Sequence, residues 1–138
     1  MYGALDISTS GMVAQRTRLA AISTNIANAN TMLRADGGYE PFRRRSVQFA
    51  VGDPTSANPA GRELGVHVAS IEIDQSPFRK RSAPDSPYKD AGGYVKVPNI
   101  NTAVEQINAL EAARAYEANV VAAETSKTMM GQALRLLA

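Results

Sequence analysis

The chain has 138 residues and a formal net charge of +2. This length predicts a single domain with one core, and the small charge excess argues against a polyanion binder that works on charge alone. The chain contains no cysteine, which excludes disulfides, thiolate nucleophiles and cysteine-ligated zinc sites.

The first predicted helix covers residues 4–30, which contain no proline. Its larger apolar side chains recur every seven residues, with another apolar residue three positions after the third, as on a coiled-coil seam. These residues are Leu5, Met12, Leu19, Ile22 and Ile26. We expect a helix about 40 Å long at 1.5 Å per residue.

Three asparagines, Asn25, Asn28 and Asn30, lie near the end of this helix. Asparagine is a mediocre helix former because its side chain competes for backbone hydrogen bonds. One interpretation is local, since Asn28 and Asn30 could simply end the helix. On a helical wheel, however, the asparagines flank the apolar arc on both sides. We therefore favour the interpretation that they fix the register of packing between several helices.

Residues 32–98 contain all seven prolines and most of the glycines. Residues 42–51 and 65–73 have the alternation and β-branched residues of strands. The apolar phase slips between Val68 and Ala69, which predicts a β-bulge there. Residues 52–61 are typical of an exposed loop, and residues 76–93 are expected to be extended and rich in turns.

The second predicted helix covers residues 99–138. Thr102 and Glu105 have the spacing of a capping box, and Glu111 and Arg114 have the spacing of an ion pair on the helix surface. An apolar stripe follows the helix, and small residues dominate its middle, so that a partner helix could approach it closely. It comprises Val104, Ile107, Ala115, Ala118, Ala122, Met129, Ala133 and Leu136.

The sequence therefore predicts a mainly α protein with a small β insert. The long N- and C-terminal helices are expected to pair as a coiled coil, with a β-rich, extended segment between them. In domain terms, residues 1–31 and 99–138 are predicted to form a discontinuous helical core domain, and residues 32–98 the insert.

Residues suited to catalysis or ligand binding are few. His67 is the single histidine, and no spacing supplies it with a nucleophile and an orienting acid. Asp85 and Asp90 lack the pattern of a calcium loop, and the glycine pair in DAGGYV does not lead into a helix as a phosphate loop does. We predict no catalytic residue, no cofactor and no metal.

Two basic clusters allow two interpretations. Residues 43–45 are three consecutive arginines, and residues 79–81 are Arg-Lys-Arg. Such clusters can contact nucleic acid, although here they lack interleaved aromatic residues. Arginine is also enriched at protein interfaces, which favours a role in subunit contacts.

The helix pair looks marginal on its own. About a dozen modest apolar side chains contribute about 20–35 kcal/mol. Ordering the helical residues costs on the order of 1–2 kcal/mol each before other gains are counted. We therefore expect the pair to need neighbouring chains.

The sequence has no pattern typical of a cleaved signal or a membrane-spanning segment. The stretch MYGALDISTSGMVAQ lacks a basic start followed by an apolar run, so no cleaved secretory signal is expected. The apolar runs are too short to span a membrane. We expect a chain that is soluble, or assembled into something soluble.

Several stretches resemble the bacterial flagellar axial proteins over nearly the whole chain. ALDISTSGMVAQRTRLAAISTNIANANT (4–31) is similar to the N-terminal signature that rod, hook and hook-associated proteins share. GGYVKVPNINTAVEQINALEAARAYEANV (92–120) resembles their C-terminal half. ADGGYEPFRRRSVQF (35–49), SPFRK (76–80) and GYVKVPNIN look like the proximal rod members of the family.

This resemblance implies a non-enzymatic structural subunit of the proximal rod that transmits torque and lines an export channel. It implies helical assembly in the periplasm with copies of itself, with other proximal and distal rod proteins and with FliE, the adaptor between the rod and the export gate. Export would use the flagellar type III apparatus without a cleaved signal. The alternatives are another axial protein of a flagellum or injectisome, and a basic nucleic-acid-binding adaptor.

We expect one set of residues to contact neighbouring subunits. It combines the helix stripes, the asparagines, the basic clusters and the matching C-terminal pattern. The set is Leu5, Met12, Leu19, Ile22, Asn25, Ile26, Asn28, Asn30, Arg43, Arg44, Arg45, Phe78, Arg79, Tyr94, Val104, Ile107, Arg114, Tyr116, Asn119 and Met129.

Overall fold

A computed structural model describes the chain from Tyr2 to Leu137, with the Tyr2 side chain excluded. Two long helices enclose a small β segment, which confirms the predicted fold class. The elements in chain order are α1 (Tyr2–Ala27), β1 (Arg45–Val51), α2 (Pro59–Leu64), β2 (Val66–Ile73), β3 (Arg79–Ser82), β4 (Tyr94–Val97) and α3 (Thr102–Leu137).

Helices α1 and α3 pack antiparallel along a seam of small residues. Gly11 of α1 lies against Asn119 of α3, and a Cβ atom at Gly11 would be 2.8 Å from Asn119 Oδ1. Ala14, Ala21 and Ala112 are buried along the same seam. Small side chains let the two backbones approach closely, so the seam buries little apolar volume per turn.

The apolar stripe of α3 lies mainly on the side that faces away from α1. Val104, Ile107, Met129 and Leu136 are exposed, as are Ala118 and Ala122, while Ala115 and Ala133 are half-buried. The residues that face α1 include Glu105, Ala112 and Asn119, which are spaced by seven. Within the chain, α1 therefore packs against a different face of α3, and the partner helix expected for the stripe is not α1.

The helix ends also differ from the prediction. Helix α1 ends at Ala27 because Asn28 turns back, its Nδ2 donating to Thr24 O at 2.9 Å. Helix α3 is capped by Asn101, whose Oδ1 accepts the N–H of Ala103 at 3.1 Å. The predicted capping box of Thr102 and Glu105 does not form, since the Glu105 carboxylate points into the core.

The β insert contains two separate antiparallel pairs, β1 with β2 and β3 with β4. In the first pair Gln48 lies opposite Ser70 and Phe49 opposite Val68, which leaves Ala69 as an extra residue. This confirms the predicted bulge. The bulge keeps the apolar side chains of both strands on one face.

Residues 52–61, predicted to be an exposed loop, instead pack partly against α1. Ser56 and Gly61 are buried, and residues 59–61 open α2. Ser56 Oγ donates to Asp6 Oδ2 at 3.5 Å, and Asn58 Nδ2 also donates to Asp6 Oδ2. The sequence did not indicate this packing, because Asp6, the acceptor of both bonds, lies about fifty residues away in the chain.

The β3–β4 pair leads into the largest apolar contribution to the core. Val95, Pro98 and Ile100 are almost completely buried where the insert meets the start of α3. The turn before β4 is held by Asp90, whose Oδ1 accepts the N–H of Tyr94 at 3.0 Å. That bond, more than any other interaction, lowers the pKa of Asp90 below its ordinary value of 3.8.

Candidate assembly surface and the polar junction beneath it

A buried set of polar groups joins α1, β1 and α3, and we call it the polar junction. It comprises Asn25, Glu105, the Arg44 side chain and the Arg45 backbone. Asn25 is 0% exposed and Glu105 is 1% exposed. Asn25 Nδ2 donates to Glu105 Oε2 and to Arg45 O, both at 2.8 Å.

Two further bonds satisfy the remaining side-chain oxygens of Asn25 and Glu105. Asn25 Oδ1 accepts the N–H of Arg45 at 2.9 Å, and Arg44 Nε donates to Glu105 Oε1 at 2.8 Å. Glu105 therefore keeps a paired charge in a buried position, which is costly unless each oxygen is bonded. An amide is suited to this position because it supplies two donors and an acceptor in one plane.

These contacts correct the interpretation of the asparagines. Asn25 does fix register, but its bonds lie within the chain, and its burial leaves no surface for a neighbouring subunit. Asn28 bonds to the preceding helical turn, and Asn30 is exposed in the turn that follows. The local interpretation therefore holds for Asn28.

The basic clusters also act largely within the chain. The guanidinium of Arg43 lies 4.2 Å from the centre of the Phe78 ring, and that of Arg45 lies 5.5 Å from Phe42. Arg79 Nη1 donates to Ile100 O at 2.9 Å. The first two contacts lie within the insert, and the third joins the insert to the residue pair just before α3. They give the nucleic-acid interpretation no geometric support.

Besides the Arg44–Glu105 pair, a second ion pair joins α1 directly to α3. Arg18 Nη2 lies 3.2 Å from Glu111 Oε2. The predicted partner of Glu111 was Arg114, which is exposed on the far side of α3. Glu111 pairs with Arg18 instead because the orientation of α3 in the helix pair turns Glu111 toward α1. The pair is partly exposed, so its contribution to stability is small.

Large apolar side chains remain exposed on both helices and on the insert. On α3 they form a stripe, the outer stripe, of Ile107, Leu110, Val121 and Met129. Val13 of α1 and Leu33, Val51, Ile71 and Ile73 of the insert are also exposed. Sequence reasoning missed these five residues, although strand alternation without a covering partner could have indicated Val51, Ile71 and Ile73.

The total exposed area shows how large this surface is. The chain exposes 9143 Å². A folded monomer of its 14.7 kDa mass exposes about 6,900 Å² by the usual scaling of area with mass. The excess of about 2,200 Å² falls in the range that subunits of permanent assemblies bury.

The other residues predicted to contact neighbours divide into two groups. Tyr94, Val104, Arg114 and Tyr116 are exposed and remain available for contacts. Those on the inner side are wholly or partly buried within the chain. They are Leu5, Met12, Leu19, Ile22, Ile26 and Asn119.

Among the described residues, no group of three or more histidine, cysteine or acidic side chains is placed to bind a metal. His67 lies on β2 with Nδ1 2.5 Å from Gly52 O, so Nδ1 must carry a proton to donate there. Within the described residues, no helix is both long enough and apolar enough to cross a bilayer.

The polar junction fixes how the helices pack, and large apolar side chains remain exposed. Together these two features define a structural subunit that completes its packing against other chains. Residues 5–32 match a family model described as "Flagella basal body rod protein", and residues 91–136 match "Flagellar basal body rod FlgEFG protein C-terminal". The chain belongs to the family of flagellar basal-body rod protein FlgC. Members of this family are structural proteins of the flagellum rather than enzymes.

Relatives from distant bacteria support this membership. The chain is 38% identical to flagellar basal-body rod protein FlgC of Borreliella burgdorferi, with 99% of this chain and 97% of the relative covered. It is also 38% identical to FlgC of Salmonella typhimurium, covering 95% and 93%. Identity to FlgC of Bacillus subtilis is 30%, covering 98% and 97%.

Proposed function

We propose that this chain is a proximal rod subunit that assembles helically with copies of itself and other rod proteins. In this role it transmits torque and lines the export channel. Membership of the rod family makes it a structural subunit of the flagellar basal body. The observation that carries the finer proposal is the outer stripe of α3, which is apolar and faces away from its own chain.

The outer stripe suits a helical lattice for a physical reason. Antiparallel α1 and α3 form a straight, narrow unit, and α3 alone is about 54 Å long at 1.5 Å per residue. Such units bury apolar stripes by packing side by side with their axes nearly aligned. Contacts between unlike surfaces then repeat without closing, which produces a tube.

The domain division and the partners belong to the same proposal. Residues 1–31 and 99–138 would form the helical core of the rod, and residues 32–98 the insert. Expected partners are FliE, the distal rod proteins and the flagellar type III export apparatus. The expected location is the part of the basal body that crosses the periplasm, reached without a cleaved signal peptide.

The test compares substitutions on and beside the outer stripe. Ile107→Lys with Val121→Lys should leave the helix content of the purified chain unchanged, because both side chains are exposed. Incorporation of an epitope-tagged copy into purified hook–basal bodies should be lost. Gln106→Lys, an exposed neighbour off the stripe, should incorporate normally. Normal rods containing the double variant would contradict the proposal.

A further inference from the structure

The β3–β4 pair is strongly basic. Residues 79–97 contain five basic and two acidic residues, a net charge of +3 in a chain whose total is +2. Lys80 of β3 lies directly opposite Lys96 of β4, and both side chains are exposed. We call these two residues the lysine pair. Like charges directly opposite each other on two strands are destabilising, so this arrangement calls for a counter-charge.

The chain itself supplies little of that counter-charge. The three ion pairs that join described residues involve arginines and no lysine, so in that part of the chain no carboxylate lies within 4.0 Å of the lysine pair. Asp90 senses both ammonium groups, but its Oδ1 already accepts the N–H groups of Gly92 and Tyr94. The pKa of Asp90 is lowered most by the bond from Tyr94 and least by the two lysines. The lysine pair therefore presents unpaired positive charge to its surroundings.

The lysine pair is presented on a fixed surface. Val95 is buried, so Tyr94 and Lys96 on either side of it both point outward, and Tyr94 is 46% exposed. Tyr39 OH donates to Lys96 O at 2.7 Å, and the Tyr39 ring stacks on Tyr88 with the ring centroids 4.8 Å apart. These contacts hold β4 against the rest of the insert. A surface that is ordered in advance loses less entropy when a partner binds.

Two unpaired acids lie on α3 beside the outer stripe. Glu117 and Glu124 are exposed and spaced by seven residues, so they lie on one side of the helix about 10 Å apart. Within the described residues neither belongs to an ion pair. Val121 of the outer stripe is adjacent to both, at spacings of four and three residues. We call Glu117 and Glu124 the acidic pair, and it borders the surface that the rod proposal assigns to a neighbouring subunit.

We propose that the lysine pair of one copy binds the acidic pair of a second copy beside it in the rod. The proposal rests on the rod function above and names one of its contacts. Charge complementarity selects the occupant, because the chain carries both an unpaired cationic face and an unpaired anionic one. The flexible stems of the two lysines let their ammonium groups separate toward carboxylates about 10 Å apart. Tyr94 would then cover Val121, since aromatic residues are enriched at interfaces.

The contact gives the insert a role in assembly. The lysine pair lies on the insert and the acidic pair on α3, so the two surfaces differ and the contact repeats from copy to copy without closing. The other role open to the lysines is to keep the exposed strand pair from joining other strands, which needs no partner. The two roles differ in one consequence, because only the contact depends on the charge of the acidic pair.

Reciprocal charge reversal tests the contact in a flagellated strain whose only copy of the chain is epitope-tagged. Lys80→Glu with Lys96→Glu should lower the yield of tagged hook–basal bodies at least about tenfold, because repulsion replaces attraction. Glu117→Lys with Glu124→Lys should lower the yield similarly. All four substitutions in one chain should restore it, because each contact again joins opposite charges. Far-UV circular dichroism should show unchanged helix content in every variant, since all four side chains are exposed.

A matched control restores the net charge at other positions. The reversed lysine pair is combined with Glu63→Lys and Glu72→Lys, two exposed acids outside α3, and the yield should stay low. Recovery in this control would overturn the contact, because net charge alone would then explain the loss.

The remaining outcomes separate the contact from the rod function. A normal yield with the lysine pair reversed would overturn the contact, leave the rod function standing and reduce the lysines to protection of the strand edge. Two harmful reversals that do not rescue each other would also overturn it, because a different protein or a nucleic acid would then hold the lysine pair. Absence of the unsubstituted tagged chain from hook–basal bodies would overturn the rod function itself.

Discussion

Replacing Asn25 by leucine tests whether the polar junction holds the two helices and the insert together. Leucine has the same number of side-chain heavy atoms and a higher helix propensity, so a purely local role would predict a neutral or stabilising change. In the structure, the substitution removes three hydrogen bonds that connect α1 to Arg45 and Glu105. We therefore expect destabilisation.

The magnitude follows from the groups left without partners. The Arg45 N–H and C=O lose their partners, and Glu105 Oε2 loses its donor. Each buried group left unsatisfied costs about 1–3 kcal/mol. The apolar leucine offsets about 1–2 kcal/mol of this. Because Arg45 lies at the surface, its backbone groups can turn to water and the lower part of that range applies, which leaves a net loss of about 3 kcal/mol. This is a large part of the roughly 5–15 kcal/mol that stabilises an ordinary domain.

Urea unfolding of the purified chain, followed by far-UV circular dichroism, measures this loss. With a slope of about 2 kcal/mol per molar urea, the midpoint should fall by about 1.5 M. Asn28→Leu is the matched control, because it removes one local bond to the preceding turn, and its midpoint should change little. An unchanged midpoint for Asn25→Leu would refute the argument that the junction fixes the register.

Three further outcomes are expected. Gly11→Ala should lower the unfolding midpoint because its Cβ would clash with Asn119, whereas Gly131→Ala, with open space around it, should raise stability by about 1 kcal/mol; both are measured by urea unfolding. Asn58→Ala should lower the free energy of unfolding by about 1 kcal/mol through the lost bond to α1, and an unchanged value would restore the exposed-loop interpretation. The folded pKa of Asp90 is depressed, so its stabilising effect is present above its unfolded pKa and is lost as pH falls through the folded value. An NMR titration should show the β3–β4 turn loosening in acid below pH 3.8, and Asp90→Asn should remove that dependence.

The order of elements could be predicted because it depends on local patterns. Proline and glycine are concentrated between two proline-free stretches, which predicts helix, insert and helix. The bulge at Ala69 was predictable for the same reason, since the slip in apolar phase lies within one strand. Both features can be predicted without knowing which distant residues come together in space.

The polar junction could not be predicted because its partners are distant in sequence. Glu105 has the spacing of a helix cap, and only the tertiary contact with Asn25 shows that it points inward. The face of α3 that packs against α1 could not be predicted for a related reason. Periodicity finds the face with the larger apolar residues, and in α3 that face points away from α1.

The distribution of side chains on α3 connects folding to assembly. A domain selected to be stable alone would bury its large apolar residues, whereas α3 turns Ala112 toward α1 and leaves its larger apolar residues, such as Ile107 and Val121, outside. Anything that binds this outer surface also stabilises the folded chain, so stability should rise with the concentration of neighbours. A seam of small residues spaced by seven could slip by one heptad with little loss of packing. The Asn25–Glu105 contact opposes that slip, because it would leave both side chains buried without partners. Since one heptad is about 10 Å along a helix, the junction thereby fixes where α3 lies along α1.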